Sequence, residues 1–307
     1  MRELSIICYH GVVDKIPKSF NSSGKHLNLE IFQKQINFLA SNFEIVTMRD
    51  VENFFHSRKD LPKKSIAITF DDGYANNLKY AHGILEKLSV PATIYLSTGY
   101  IGMNRLIWSD EVELAVLSLP FEKFKIKLDQ EILFDSSTVE KRIVALNQIK
   151  KVLKKSPPKV IASVISELTV HNKNYRDRVT PDLHSFLDWD EVRFMKSSKT
   201  WEIGAHTVDH YSLGTVSSRV GIAQIKDSIF KLSQEVETSD LPLFSYPEGQ
   251  NFDIPSYAVD CLNSLGIKSS PSAIAGKNMI SRFRTKRAMF LKRYLVGFEN
   301  LDFPWKL

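Results

Sequence analysis

The chain has little with which to cross-link itself or to span a bilayer. Only Cys8 and Cys261 are present. Each sits in an apolar stretch without metal-type spacing, which excludes a disulfide framework and sets a reducing compartment as the expectation. No apolar run approaches the ~20 residues of a membrane-spanning helix. The first residues, MRELSIICYHGVV, hold one early Arg and a short apolar run but no signal-like core or cleavage site. They read as a first buried strand, and a cytoplasmic location is expected. Repeats and low-complexity linkers are missing as well. The net charge of +6 comes from scattered Lys and Arg, with mild concentrations at 150–159 and 282–293. No basic stripe with interleaved aromatics accompanies it, so nucleic acid is not the expected partner. A solvated basic face or an anionic substrate carrier fits better. Histidine is sparse, and none follows His210.

What is there is organised around 64–92. Residues 65–70 are short, apolar and β-branched, the pattern of a buried parallel strand. The strand ends in Asp71-Asp72-Gly73-Tyr74. A helix is expected over 76–88, with Leu78, Ala81, Leu85 and Leu88 at 3–4 spacing, and a further strand over 90–96. This is a βαβ unit with two carboxylates at the carboxyl end of its first strand, where parallel α/β folds build their sites. Neighbouring strand residues point to opposite faces, so the two aspartates are expected to do different jobs, one holding a cation and one handling protons. By itself the segment also reads as a solvated turn.

Along the rest of the chain, strands are expected at 4–9, 44–47, 201–204, 243–246, 267–270 and 290–295. Helices are expected at 29–39, 48–56, 188–196, 222–236 and 255–265, with 12–26 a polar loop. About seven strands end in polar or Gly-rich loops, which fits a closed or nearly closed α/β barrel. Between them, about 103–185 reads as a mainly helical insertion rather than a domain with its own large core. It has helices at 107–119, 138–154 and 158–168, and a hairpin of 124–128 and 131–134 around Asp129-Gln130. The whole of 1–307 is expected to form a single catalytic domain.

His206 and His210 lie four apart directly after a strand. By themselves they are a weak signal, since structural or surface histidines are commoner. With Asp72 they make two imidazoles and one carboxylate at the carboxyl ends of strands, an open three-ligand site with room for water and substrate. That mixed donor set suits Zn²⁺ best, with other divalent transition metals as alternatives. Glycoside hydrolysis needs carboxylates on opposite sides of a bond, which adjacent aspartates do not supply.

Thr-Phe-Asp-Asp-Gly-Tyr at 69–74, His-Thr-Val-Asp-His at 206–210 and Tyr-Pro-Glu-Gly at 246–249 resemble the first three motifs of the polysaccharide deacetylases, the NodB-homology carbohydrate esterases. The resemblance implies a distorted (β/α)7-type barrel. It implies a hydrolase that removes an N-acetyl group from an amino sugar in a glycan or glycan precursor. Asp72, His206 and His210 would hold the metal. Asp71 would be the base acting on metal-bound water. A backbone N–H of Tyr246-Pro247-Glu248 would steady the oxyanion. Trp189, near the fourth-motif position, is the candidate to stack on the sugar and Trp108 a weaker one, with a core Trp anchoring an amphipathic helix the commoner alternative for both; His184, in a loop, is a weaker candidate still. Two departures stand out. The third motif lacks the arginine that steadies the base, with Arg293 the candidate replacement and a surface or structural role the alternative. The late histidine that protonates the departing amine is also missing, with His10 the candidate acid and a capped strand-end histidine the alternative. These departures keep two other readings open, a catalytically impaired sugar-binding protein and a deformylase or amidase on another amide.

Overall fold

In a computed structural model of the chain, residues 1–16, 21–120, 123–127, 131–172, 174–238, 240–283 and 285–297 are described. The central stave is Lys64–Phe70, buried from Ser65 onward, as its apolar run requires. Arg2–Tyr9 pairs with it in parallel along its full length. Ile45–Val46 and Ala92–Leu96 share its other edge, and Trp201–Ala205 lies parallel beyond Ala92–Leu96.

From there the ring continues through sparser contacts. Ala205 bridges to Phe244 and Pro271 bridges to Leu291. Between these bridges, Ser270 Oγ donates to the Phe244 carbonyl at 2.9 Å. Tyr294–Leu295 then pairs in parallel with Ile7–Cys8, which returns the ring to the first strand. The expected seven-stave barrel is therefore present but distorted. The segment expected as a full strand at 243–246 is held by one bridge at Phe244, that at 267–270 by one just beyond it at Pro271, and the strand expected at 290–295 is shortened to Tyr294–Leu295. Pro247 and Pro271 explain the first two, since a proline removes a ladder donor. Asn278–Ile280 pairs antiparallel with the outer end of the first strand.

Two local expectations are corrected. The polar stretch 12–26 is not all loop, because Gly11–Val13 pairs in parallel with His26–Asn28. The helix after the acidic tip opens as a π-helical turn, Asn77–Ala81, before the α-helix His82–Lys87. Within that wide turn the Asn77 amide donates to the His10 carbonyl at 2.9 Å, tying the ends of two staves together.

The block after the third stave is more than an appendage. Its helices Trp108–Leu117, Val139–Leu153 and Pro158–His171 and the antiparallel pair Lys123–Lys127 with Glu131–Asp135 enclose their own cluster. That cluster includes Leu114, Val116, Phe124, Leu146, Ile149 and Leu168. The expectation that this block lacks a large core is therefore corrected. The turn at Asp129-Gln130, with Leu128, lies outside the described residues. Buried polar contacts fasten the block to the barrel: Lys25 Nζ meets Asp110 at 2.6 Å and donates to Tyr74 OH at 2.8 Å. Among the described residues, no helix is long and apolar enough to cross a membrane.

Candidate active site

The site is built where three neighbouring staves end. Lys64–Phe70 stops one residue short of Asp71, and Asp71 N still donates to the Tyr9 carbonyl at 3.0 Å. The chain then turns: Asp72 has φ of 74° and Gly73 φ of 97°. The left-handed region is costly for a residue with a side chain, and here it reverses the alternation of a strand. Both carboxylates consequently face one cleft. At Gly73 a Cβ would also lie 2.9 Å from Ile101 Cδ1, so a glycine is required there.

The adjacent stave end ties the two motifs together. Ser97 N donates to the Asp72 carbonyl at 3.1 Å, and His206 N donates to the Leu96 carbonyl at 2.8 Å. The loop beyond His206 then winds through Thr207 and His210, which have φ of 64° and 55°. Gln224 Oε1 caps it by accepting from Val208 N and Asp209 N at 3.1 and 2.8 Å.

The two aspartates have different partners. Asp71 receives both terminal guanidinium nitrogens of Arg293, at 2.8 and 2.7 Å, a bidentate pair of the strong, directional kind. Arg293 is 1% exposed, and its Nε donates to the Ser272 carbonyl at 2.6 Å. It thus comes from the last stave rather than the third motif, and its surface alternative is excluded. Burial alone would push the Asp71 carboxyl up; Arg293, with His206 and His10 adding to it, outweighs burial and holds the carboxyl below its usual range.

Asp72 Oδ1 lies 3.2 Å from His210 Nε2 and 3.7 Å from His206 Nε2. Among the described residues no hydrogen bond satisfies that oxygen. His206 Nδ1 lies 2.8 Å from the Ser245 carbonyl, and donating to it leaves the Nε2 lone pair pointing towards the carboxylate. Burial lowers His206 to about 4, so the ring is neutral at pH 7. At His210, burial opposes the charged form but the Asp72 carboxylate prevails and raises the pKa. The His206 lone pair, the His210 ring nitrogen and an orphaned buried oxygen converge within 4.8 Å, a set whose shared proton a small cation would replace. The Ser245 carbonyl behind His206 is the kind of outer partner that fixes a metal-binding tautomer. The residues fit a metal.

His10, Asp71, Asp72, His206, His210, Tyr246, Glu248 and Arg293 all line one cleft of about 350 Å³. His10 and Asp71 offer polar atoms within 4.8 Å of one another, with Cys8. Burial lowers the His10 pKa, with Asp72 and Asp71 pulling it back in part. In the 246–249 turn, Tyr246 N donates to the Pro271 carbonyl and Gly249 N to the Pro247 carbonyl. Glu248, at φ of 58°, carries the backbone N–H that these bonds leave over.

Trp189 is placed elsewhere and is corrected as a sugar-facing residue. It opens the helix Trp189–Ser197, packs on the barrel core, and has Lys231 Nζ 5.5 Å above its ring. Trp108 is a core residue of the insertion. His184 is held by Thr180 N at 3.0 Å, away from the cleft. Reasoning from sequence missed the cleft-lining Lys25, Gln250 and Asp253; none lies in a patterned stretch. The lysines at 150, 151, 154 and 155, which also line the cleft, carried a signal in their helical spacing.

The family model described as polysaccharide deacetylase matches residues 58–124 and 129–270. The chain belongs to the polysaccharide deacetylase family. Among curated members, it is similar to the poly-beta-1,6-N-acetyl-D-glucosamine N-deacetylase of Staphylococcus aureus strain MRSA252. The two are 25% identical over 162 residues, 51% of this chain and 53% of that protein. The chain spans about half the length of the curated relatives it matches, or less. Among solved structures, the Streptococcus pyogenes deacetylase PplD in complex with acetate superposes with a TM-score of 0.62 at 15% identity, over 97% of this chain and 99% of that one. IcaB from Ammonifex degensii gives 0.58 at 16% identity, over 96% and 92%. Both show the (β/α) barrel type of this family.

Proposed function

We propose that this polysaccharide deacetylase family member hydrolyses the N-acetyl group of an amino sugar in a glycan or glycan precursor, leaving acetate and a free amine. One observation carries the reading. Two adjacent aspartates are divided between a buried arginine and a pair of histidines, with His206 Nε2 3.9 Å from Asp71 and 3.7 Å from Asp72. Asp72, His206 and His210 are the metal ligands in this reading. These residues would hold a divalent transition metal, zinc being the best match to the donor set, and its bound chemistry would be Lewis-acid polarisation of the amide carbonyl and a lowered pKa for water, from ~15.7 towards ~7.

The chain's own groups supply the remainder. Asp71, kept ionised and oriented by Arg293, takes a proton from the attacking water. The Glu248 N–H faces the oxygen on which charge develops. His10, neutral beside Asp71, takes over the proton that Asp71 removed from the water and delivers it to the nitrogen as the C–N bond breaks, which returns both side chains to their starting states. A cleft-lining His10 answers the missing late histidine and favours turnover over sugar binding alone.

The test is a panel of N-acetylated, N-formylated and free-amine amino-sugar oligosaccharides given to the metal-loaded protein. Acetate is expected to appear in equal amount to new amine. Release of formate alone, or of nothing while sugars still bind, would overturn the reading.

A further inference from the structure

The cleft has one wall that the proposed chemistry does not use. It is the end of the insertion's helix Val139–Leu153 and the turn after it, which bring Lys150, Lys151, Lys154 and Lys155 to the cleft, with Lys25 beside them. Lys150 and Lys151 lie in the last turn of the helix, Lys154 caps it and Lys155 follows in the turn. Lys150 and Lys154 are i, i+4 like-charge neighbours, an arrangement that does not favour the helix on its own account.

Three of the five lysines are matched. Lys25 is held by Asp110 at 2.6 Å, Lys150 by Glu113 at 2.5 Å and Lys154 by Glu248 at 2.9 Å. Asp110 and Glu113 are each 6% exposed and sit one turn apart on Trp108–Leu117. Lys151 and Lys155 are exposed, and among the described residues neither has a carboxylate within ion-pair distance. The cleft's own carboxylates have other roles: Asp71 is paired with Arg293, Asp72 belongs to the metal group with His206 and His210, and Asp253 accepts from Ser212 Oγ and Gln250 N. Among the described residues, the ammonium groups of the cleft that have no ion pair, Lys151 and Lys155, therefore lie together on one wall.

A helix C-terminus favours cations, and Lys87 and Lys196 sit in the last turns of His82–Lys87 and Trp189–Ser197, but neither of those ends lines the cleft. A wall of ammonium groups beside low-dielectric surface concentrates an anionic ligand.

We propose that Lys151 and Lys155 hold an anionic group, a phosphate or a carboxylate, carried by the acetylated sugar or its immediate neighbour. The inference rests on the reading that this cleft receives an acetylated amino sugar. It makes the substrate a charged glycan or glycan precursor rather than a neutral one.

The probes are N-acetylglucosamine, its 1-phosphate, and its 3-O-lactyl carboxylate derivative, titrated calorimetrically into the metal-loaded full chain. At least one charged sugar is expected to bind about tenfold or more tightly than the neutral one, with the preference falling as salt rises. Which one does so separates phosphate from carboxylate. Lys151→Ala/Lys155→Ala should bring the charged-to-neutral ratio close to one, and Lys151→Arg/Lys155→Arg should keep it. Equal binding of all three sugars by the wild type, no binding of any, or an unchanged ratio in the alanine variant would overturn the proposal. Because the readout is binding, a charge preference without acetate release would reject the deacetylase reading and leave the anion site standing.

Discussion

Asp71→Asn is expected to lower the rate constant for acetate release by about 10²–10⁴-fold, the usual contribution of a positioned general base, while metal content stays at the wild-type level. The structure separates the two effects because Asp71 and Asp72 have different partners. The amide introduced by this substitution cannot accept a proton from water at neutral pH, but Asp72, His206 and His210 keep their positions. Parallel rate and elemental measurements on one preparation check this. Loss of metal together with activity would place Asp71 among the ligands. Activity within a few-fold of wild type would remove it from the chemistry.

Arg293→Met should produce the second large effect, visible in both stability and pH dependence. Removing one member of a buried ion pair leaves the other charge uncompensated, at a cost of about 3–5 kcal/mol, read as a lower denaturant midpoint. In the wild type the folded Asp71 carboxyl lies below its ordinary value because Arg293 overcomes burial. Its stabilising contribution is therefore complete above the unfolded value, ~3.9, and is lost as pH falls through the lower folded value. Without the guanidinium, burial dominates and the carboxyl binds a proton at higher pH. The acid limb of kcat/KM should accordingly move upward in the variant. An unshifted limb with full stability would mean that Arg293 neither holds nor tunes the base.

These two residues also show how far the sequence can be read. Asp71 and Asp72 were legible because an apolar strand ended in a charged pair, and His206 and His210 because their spacing met that pair. The resemblance to the family's motifs then supplied roles. Arg293 was legible only as a candidate: nothing in Leu-Lys-Arg says that its side chain runs inward to a strand far away in sequence. Trp189 was misplaced because proximity in sequence to a motif carries no information on which way a helix-opening side chain turns. Among fold elements, the first four staves follow from their apolar runs. The staves at 243–246 and 267–270 were over-drawn, since hydrophobicity marks burial while Pro247 and Pro271 limit pairing. The core of the insertion was missed because its buried residues come from three helices and a hairpin spread along the sequence, and the apolar runs of Trp108–Leu117 and Pro158–His171 do not say that they face each other.

Metal content tests the account's central claim most directly. Elemental analysis of the wild type and of His206→Ala/His210→Ala, purified side by side and exposed to the same zinc, should show near-stoichiometric metal in the first and background in the second. Folding of the variant is checked by its far-UV spectrum. Equal metal in both proteins, or none in either after exposure to excess zinc, would contradict the assignment of Asp72, His206 and His210 as the centre of the site.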